Sequence, residues 1–265
     1  MDNSSNDIVD FTNNYISPNY QAVGLTRQFP SLCFYKELLF EFIRAGIKAR
    51  GGKYTPADWV KSSKKILKYL EVVGVKISID GIENILQTKG PCVFVGNHMS
   101  SLETFILPGI VQPFKDTTFV VKKSLLKVPC LGNVLKARNP IALDRTNPRE
   151  DLVKVLEEGT ASLQSGRSVI VFPQSKRSLA LDEKQFNSIG VKLAKRAGVP
   201  VIPLALRTDA WGMSSSFIKD FGVINPNLPV YFSFGKALYI EEGNGKKEQE
   251  ELISFIRAKL QSWNI

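Results

Sequence analysis

"CVFVGNHMSSLETFILPGI", residues 92–110, holds the only histidine of a 265-residue chain. The stretch changes period in the middle. Cys92 to Val95 is a short uninterrupted apolar run, the pattern of a strand buried on both faces. A polar turn, Asn97 to Ser101, follows, and then an apolar segment from Leu102 to Ile110 that reads as a helix. A buried strand that delivers a histidine to a turn before a helix is half of a strand–helix–strand unit.

The same alternation continues on both sides. "VKISID" (75–80), "TTFVVKK" (117–123), "SVIVFP" (168–173), "VPVIPLAL" (199–206) and "VYFSFG" (230–235) read as further strands. Helical patterns fit between and after them, over Leu102–Ile110, Arg149–Gln164, Asn187–Ala197 and Lys247–Trp263. Strands alternating with helices predict an α/β fold, a single mixed, largely parallel sheet flanked by helices. In such sheets, sites gather at loops leaving the C-terminal ends of strands. His98 and the "PQSKRS" loop (173–178) both occupy that kind of place.

The N-terminal part is different. Residues 1–30 are rich in Asn, Ser, Pro and Gln and are expected to form a loosely ordered tail. They lack the basic-then-apolar order of a signal peptide. Residues 31–74 predict an amphipathic helical hairpin. In its first half, Lys36, Glu37, Glu41, Arg44 and Lys48 share one stripe, and Leu32, Tyr35, Leu38, Leu39, Phe42, Ile43 and Ile47 form an unusually wide apolar face. In its second half, Lys61, Lys64, Lys65 and Lys68 lie opposite Trp59, Ile66, Leu70 and Val73. Two readings fit: a hairpin packed on the main domain, and an interfacial element that dips apolar residues into a membrane with lysines at the head groups. The division is therefore a tail (1–30), a possible membrane-docking hairpin (31–74) and an α/β domain (75–265).

Composition narrows the chemistry. The net charge is +10, from 35 Lys+Arg and 25 Asp+Glu, which favours anionic partners. The three cysteines are scattered and odd in number, as expected of reduced thiols, and one histidine cannot support an ordinary zinc site. No uncharged apolar run reaches the ~18 residues of a spanning helix. Helix-turn-helix, RNP-like and zinc-finger signatures are all missing, so a nucleic-acid partner is not expected.

His98 and Glu103 offer the sharpest chemical pattern. An imidazole can take a hydroxyl proton if its other nitrogen donates to a carboxylate, which fixes the tautomer and stabilises the imidazolium. On one continuous helix, five residues advance about 500° and leave the side chains ~140° apart. The helix must therefore begin between them. The competing reading is a capping box, S-x-x-E, with Ser100 at the N-cap and Glu103 at N3.

Three further pieces follow in order: "KKSLLKVPCLGNVLKARNPIALDR" (122–145), "FPQSKRS" (172–178) and "VPVIPLAL". Separately they read as a helical patch ending in a surface ion pair, a solvated basic loop and a buried strand. Together with the histidine motif they resemble the glycerolipid acyltransferase superfamily, and within it the 1-acylglycerol-3-phosphate (lysophosphatidic acid) O-acyltransferases. That family has NHxxxxD, a Lys-x-x-Leu…Pro…Gly…Asp-Arg block, FPEGTRS and a V-P-V-I-P-like strand. The resemblance covers about residues 75–240.

The resemblance implies His98 as general base, Glu103 as its acidic partner, and Lys122, Arg145, Gln174, Ser175, Lys176 and Arg177 as substrate-binding residues, with Arg177 on the acceptor phosphate. Glu103 stands where the family has Asp, and Gln174-Ser175-Lys176 where it has Glu-Gly-Thr. It implies no metal or cofactor, an acyl-CoA or acyl carrier protein co-substrate, a lysophospholipid acceptor, and a cytoplasmic enzyme peripheral on the inner face of the cell membrane, bound to its anionic surface. The residues leave other acceptors open, among them glycerol 3-phosphate and a lipid A precursor. They also leave open a hydrolase using water and a lipid-binding pseudoenzyme.

Overall fold

The structure, a computed structural model, describes residues 11, 13–174, 176–213, 221–241 and 243–265. Its eight described strands form one mixed sheet. They are β1 (Tyr15–Ile16), β2 (Ile77–Asp80), β3 (Val93–Gly96), β4 (Thr117–Lys122), β5 (Ile141–Leu143), β6 (Ser168–Val171), β7 (Val201–Arg207) and β8 (Val230–Phe234). The spatial order is β1-β2-β8-β7-β3-β6-β4-β5. From β7 to β5 every pair is parallel; β8 runs antiparallel to β7, and β1 antiparallel to β2. The expected mixed, largely parallel sheet is the observed one.

Alternation along the central strands builds two cores. Phe94, Ile170, Ile202 and Leu204 face one side of the sheet, with the helical hairpin and α5. Val93, Val95, Val169, Val171, Val201 and Ala205 face the other side, against the remaining helices. These are small or branched residues at a period of two, and each large side chain buried contributes roughly 1.5–3 kcal/mol. β3 lies between β7 and β6 near the middle of the sheet, so the turn it leads into starts from a rigid base.

The hairpin is formed by α2 (Pro30–Arg50) and α3 (Pro56–Val72), after a short α1 (Leu25–Gln28). Pro30 and Pro56 sit at helix starts, where a missing N–H costs nothing. Thr55 and Asp58 close a reciprocal capping box on α3. On α2 the charged stripe is not the exposed one. Glu41 is buried, bound by Arg44 and by Lys65 of α3 at 3.3 Å. The exposed stripe is instead apolar: Leu32, Leu39, Phe40, Ile43 and Ile47, with Lys36 and Arg50 on it. Arg44 and Lys65 supply the partners without which a buried Glu41 carboxylate would be strongly destabilising. Lys64 and Lys68 also have neighbours in the fold, lying over the Phe11 and Tyr20 rings.

The expectation of a loose tail to residue 30 covers two kinds of residue. Residues 1–10 and 12 lie outside the described ones. Residues 13–29 are placed, and here the tail reading is corrected: β1 pairs with β2, and the hydroxyls of Tyr15 and Ser17 donate to the buried carboxylate of Glu71. A buried acid needing donors is what ties this segment down. Other helices are α4 (Ile82–Gln87), α5 (Leu102–Val111), α6 (Leu131–Ala137), α7 (Pro148–Gln164), α8 (Ile189–Ala197) and α9 (Lys246–Ser262).

Candidate active site

All five strands from β7 to β5 end at the same sheet edge. Their exits carry His98 (after β3), Phe172, Gln174, Lys176 and Arg177 (after β6), Lys122 (the end of β4), Arg145 (after β5) and Thr208 (after β7). The turn after β3 is clamped at once. The Asn97 amide donates to the Leu206 carbonyl and accepts from the Leu206 N–H, both at 2.8 Å. The next residue is His98, and its backbone is held on both sides: its N–H donates to Gln174 Oε1 at 2.7 Å, and its carbonyl accepts from Ser178 N–H at 2.9 Å.

The imidazole stacks on Phe172, with ring centroids 4.6 Å apart and planes 8° from parallel. Its Nδ1 lies 3.0 Å from Glu103 Oε1. α5 begins at Leu102, between the two residues, as the angular argument requires. Among the described residues the ring's Nε2 has no hydrogen bond, and the side chain is 18% exposed. Nδ1–H donation to the carboxylate leaves Nε2 as the acceptor.

Glu103 is fully buried. Oε1 also accepts from the N–H groups of Met99 (2.7 Å) and Ser100 (3.0 Å). Oε2 accepts from Ser100 N–H (3.2 Å), Ser100 Oγ (3.1 Å) and Thr208 Oγ1 (2.8 Å). Burial pushes its pKa up, but the bond and charge of the His98 ring and the backbone donors outweigh this and hold it below the ordinary carboxylate range. A buried anion with every lone pair engaged is the state needed to orient an imidazole and accept its positive charge. The capping-box reading is realised in part by the same atoms. Glu103 reaches back to Ser100 N–H, while Ser100 Oγ accepts from Leu102 N–H and the helix proper starts one residue later. One carboxylate serves both the turn and the histidine.

The other expected residues divide. Arg177 joins the site: its Nη1 donates to Ser101 Oγ at 2.7 Å, which places the guanidinium over the start of α5. Lys176 is exposed beside it. Ser175 lies outside the described residues. Gln174, expected to bind substrate, is buried, and its side-chain oxygen accepts from the His98 N–H. That bond also accounts for Gln where an acid was expected, because only a carbonyl-type oxygen is needed there. Lys122 and Arg145 are exposed at the same edge but two and three strands from β3, about 10 and 14 Å at ordinary strand spacing. Their loops are joined by the Lys123–Asp144 ion pair at 2.9 Å. Among the described residues no group of three or more His, Cys, Asp or Glu is placed to hold a metal.

Sequence reasoning missed Asn97 and Thr208, the two residues that tie this turn to β7. A mostly apolar cavity is lined by Phe42, Trp59 and Ile66 of the hairpin, Thr104 and Phe105 of α5, and Phe119 of β4.

Comparison with known proteins agrees with the fold. A family model described as "Acyltransferase" matches residues 76–207. The chain is 33% identical over 181 residues to a 1-acyl-sn-glycerol-3-phosphate acyltransferase of Pseudomonas aeruginosa, covering 68% of this chain and 66% of the relative. It is 27% identical over 192 residues to the protein of the same name from Borreliella burgdorferi, covering 72% of each. With a chloroplastic 1-acyl-sn-glycerol-3-phosphate acyltransferase of Brassica napus it shares 30% over 183 residues, 68% of this chain and 52% of that one. The chain thus spans between half and two thirds of the length of the Pseudomonas and Brassica relatives. In fold it is similar to the crystal structure of the 1-acyl-sn-glycerophosphate (LPA) acyltransferase PlsC from Thermotoga maritima. The TM-score is 0.65 and the identity 18%, over 91% of this chain and 97% of that one.

Proposed function

The chain belongs to the acyltransferase family, and on that premise we propose that it moves a fatty acyl group from a thioester donor to the sn-2 hydroxyl of 1-acylglycerol 3-phosphate, giving phosphatidic acid. The observation that carries the reading is the buried Glu103 carboxylate 3.0 Å from Nδ1 of a partly exposed His98. The acceptor hydroxyl gives its proton to Nε2 as its oxygen attacks the thioester carbonyl. The C–S bond then breaks, and the thiolate leaves with the proton from the imidazolium. Glu103 balances the ring's charge between these steps. Arg177, with Lys176 beside it, suits the acceptor phosphate, because a guanidinium fork matches phosphate geometry. The apolar cavity beside Thr104 suits an acyl chain. No resident metal or cofactor is needed for these steps; the donor, acyl-CoA or acyl carrier protein, brings the acyl group.

The enzyme works, on this reading, at an anionic membrane surface on the cytoplasmic side. The support is the exposed Leu32, Leu39, Phe40, Ile43 and Ile47 stripe of α2 in a chain of net charge +10. Among the described residues no helix is long and apolar enough to cross a membrane. Sedimentation with phosphatidylglycerol-containing liposomes tests the docking: Leu39→Lys with Ile43→Lys should abolish co-sedimentation, and unchanged co-sedimentation would remove α2 as the anchor. The reaction itself is tested by acyl transfer from labelled acyl-CoA and acyl carrier protein, with lysophosphatidic acid, glycerol 3-phosphate and a lipid A precursor as competing acceptors. Preference for either of the last two would replace the acceptor named above.

A further inference from the structure

Glu103 has donors of two origins. His98, Met99 and Ser100 lie within five residues of it and move with the same turn. Thr208 comes from 105 residues away, at the first position past β7, and is fully buried. Its hydroxyl makes the shortest bond to Oε2, 2.8 Å. The Ser100 contacts to that oxygen are 3.1 and 3.2 Å, long for bonds to a charged acceptor. Two residues before Thr208, Leu206 grips the Asn97 amide through both of its backbone groups. The end of β7 therefore holds both sides of the turn: the residue next to His98, and the partner of its ring.

We propose that Thr208 is a positioning residue for acyl transfer, whose hydroxyl fixes the rotation of the Glu103 carboxylate so that Oε1 stays on Nδ1 of His98. The proposal rests on the dyad reading given above. The last torsion of a glutamate is broad and roughly two-fold, so packing of the aliphatic stem does not set it. A hydroxyl on a β-branched side chain does, because its direction follows from a stiff χ1 on a sheet-anchored backbone. The site places no other sheet-anchored donor on Oε2 among the described residues.

Thr208→Val keeps the shape and removes the donor; Thr208→Ser keeps the donor and removes a methyl. Both are measured in the full chain, by steady-state acyl transfer to lysophosphatidic acid and by the low-field proton resonance of the His98 Nδ1–H. A chain with one histidine gives one such resonance, and it requires no turnover. Thr208→Val should lower kcat about tenfold with KM for either substrate nearly unchanged, as expected for losing one hydrogen bond to a charged group that acts through the base. The Nδ1–H resonance should shift or broaden, and Thr208→Ser should restore both readouts. Wild-type kcat and an unmoved resonance in Thr208→Val would overturn the proposal. So would an equal loss in Thr208→Ser, which would assign the effect to packing. Should Thr208→Val not fold, Thr208→Cys, a weaker donor, takes its place: an intermediate kcat is expected, and full activity overturns the proposal. If the wild type transfers no acyl group but its resonance still depends on the hydroxyl, the proposed reaction fails and the positioning stands.

Discussion

Replacing Glu103 with Gln tests the division of labour at the dyad. The substitution keeps size and removes charge. Every neighbour of the carboxylate is a donor, so the new amide must choose which oxygen to replace with NH2. Turning NH2 toward His98 would set it against the Met99 and Ser100 N–H groups, at 2.7 and 3.0 Å in the wild type. Turning it toward Thr208 meets a single, longer N–H contact, from Ser100 at 3.2 Å, and two hydroxyls that can rotate to accept. The amide oxygen therefore stays on Nδ1, and the tautomer is preserved. What is lost is the charge that stabilises the imidazolium. For charges about 4 Å apart at an effective dielectric of ~20 this is about 4 kcal/mol, or about 10³-fold in kcat. A reversed tautomer costs about 10⁴-fold in a Ser-His-Asp site. Initial rates of acyl transfer from labelled acyl-CoA, with circular dichroism to confirm folding, separate the outcomes. A folded Glu103→Gln protein retaining more than half of wild-type kcat would refute the reasoning and leave Glu103 only its bonds to the turn.

Arg177→Lys keeps the charge and loses the fork and the bond to Ser101; KM for lysophosphatidic acid should rise about tenfold with kcat little changed, and equal rises for a phosphate-free acceptor would contradict the assignment. Gly46→Val should destabilise by about 1–3 kcal/mol in urea titrations, because a Cβ at Gly46 would stand 2.6 Å from Cys130 Cα where α2 meets the loop before α6. Burial raises the pKa of Asp58, but the Lys48 ammonium and the Thr55 N–H and hydroxyl pull it down to about 2, below the ordinary value of 3.8. A depressed folded pKa contributes stability above the unfolded value and loses it as pH falls through the folded one. The stability gap between wild type and Asp58→Asn should hold at pH 6 and close between about pH 4 and pH 2. A gap unchanged across that window would show that the Lys48–Asp58 pair does not carry it.

The parts of this molecule that were legible in the sequence depend on local pattern. The runs at Val93–Val95 and Val169–Val171 are apolar at every position, and only central strands need that. The five-residue spacing of His98 and Glu103 sufficed to place a helix start between them. The orientation of α2 was not legible. Its apolar face is wide enough to cover the domain and still leave a stripe outside, and the Lys65 contact to the buried Glu41 joins two helices. β1 was missed because two residues carry no period, and its anchor is Glu71, 56 residues away from Tyr15. Thr208 and Asn97 were missed for a related reason. Their roles depend on β7 lying beside β3, a neighbour relation that spacing along the chain does not encode.

The lone histidine is the base on this mechanism, and acyl transfer to lysophosphatidic acid by the wild type and a folded His98→Ala variant, side by side, tests that role. Turnover in the wild type and its loss in His98→Ala, by 10²-fold or more as general-base catalysis contributes, is the predicted result. Robust turnover in His98→Ala would contradict it and reduce the His98–Glu103 pair to a device that starts a helix.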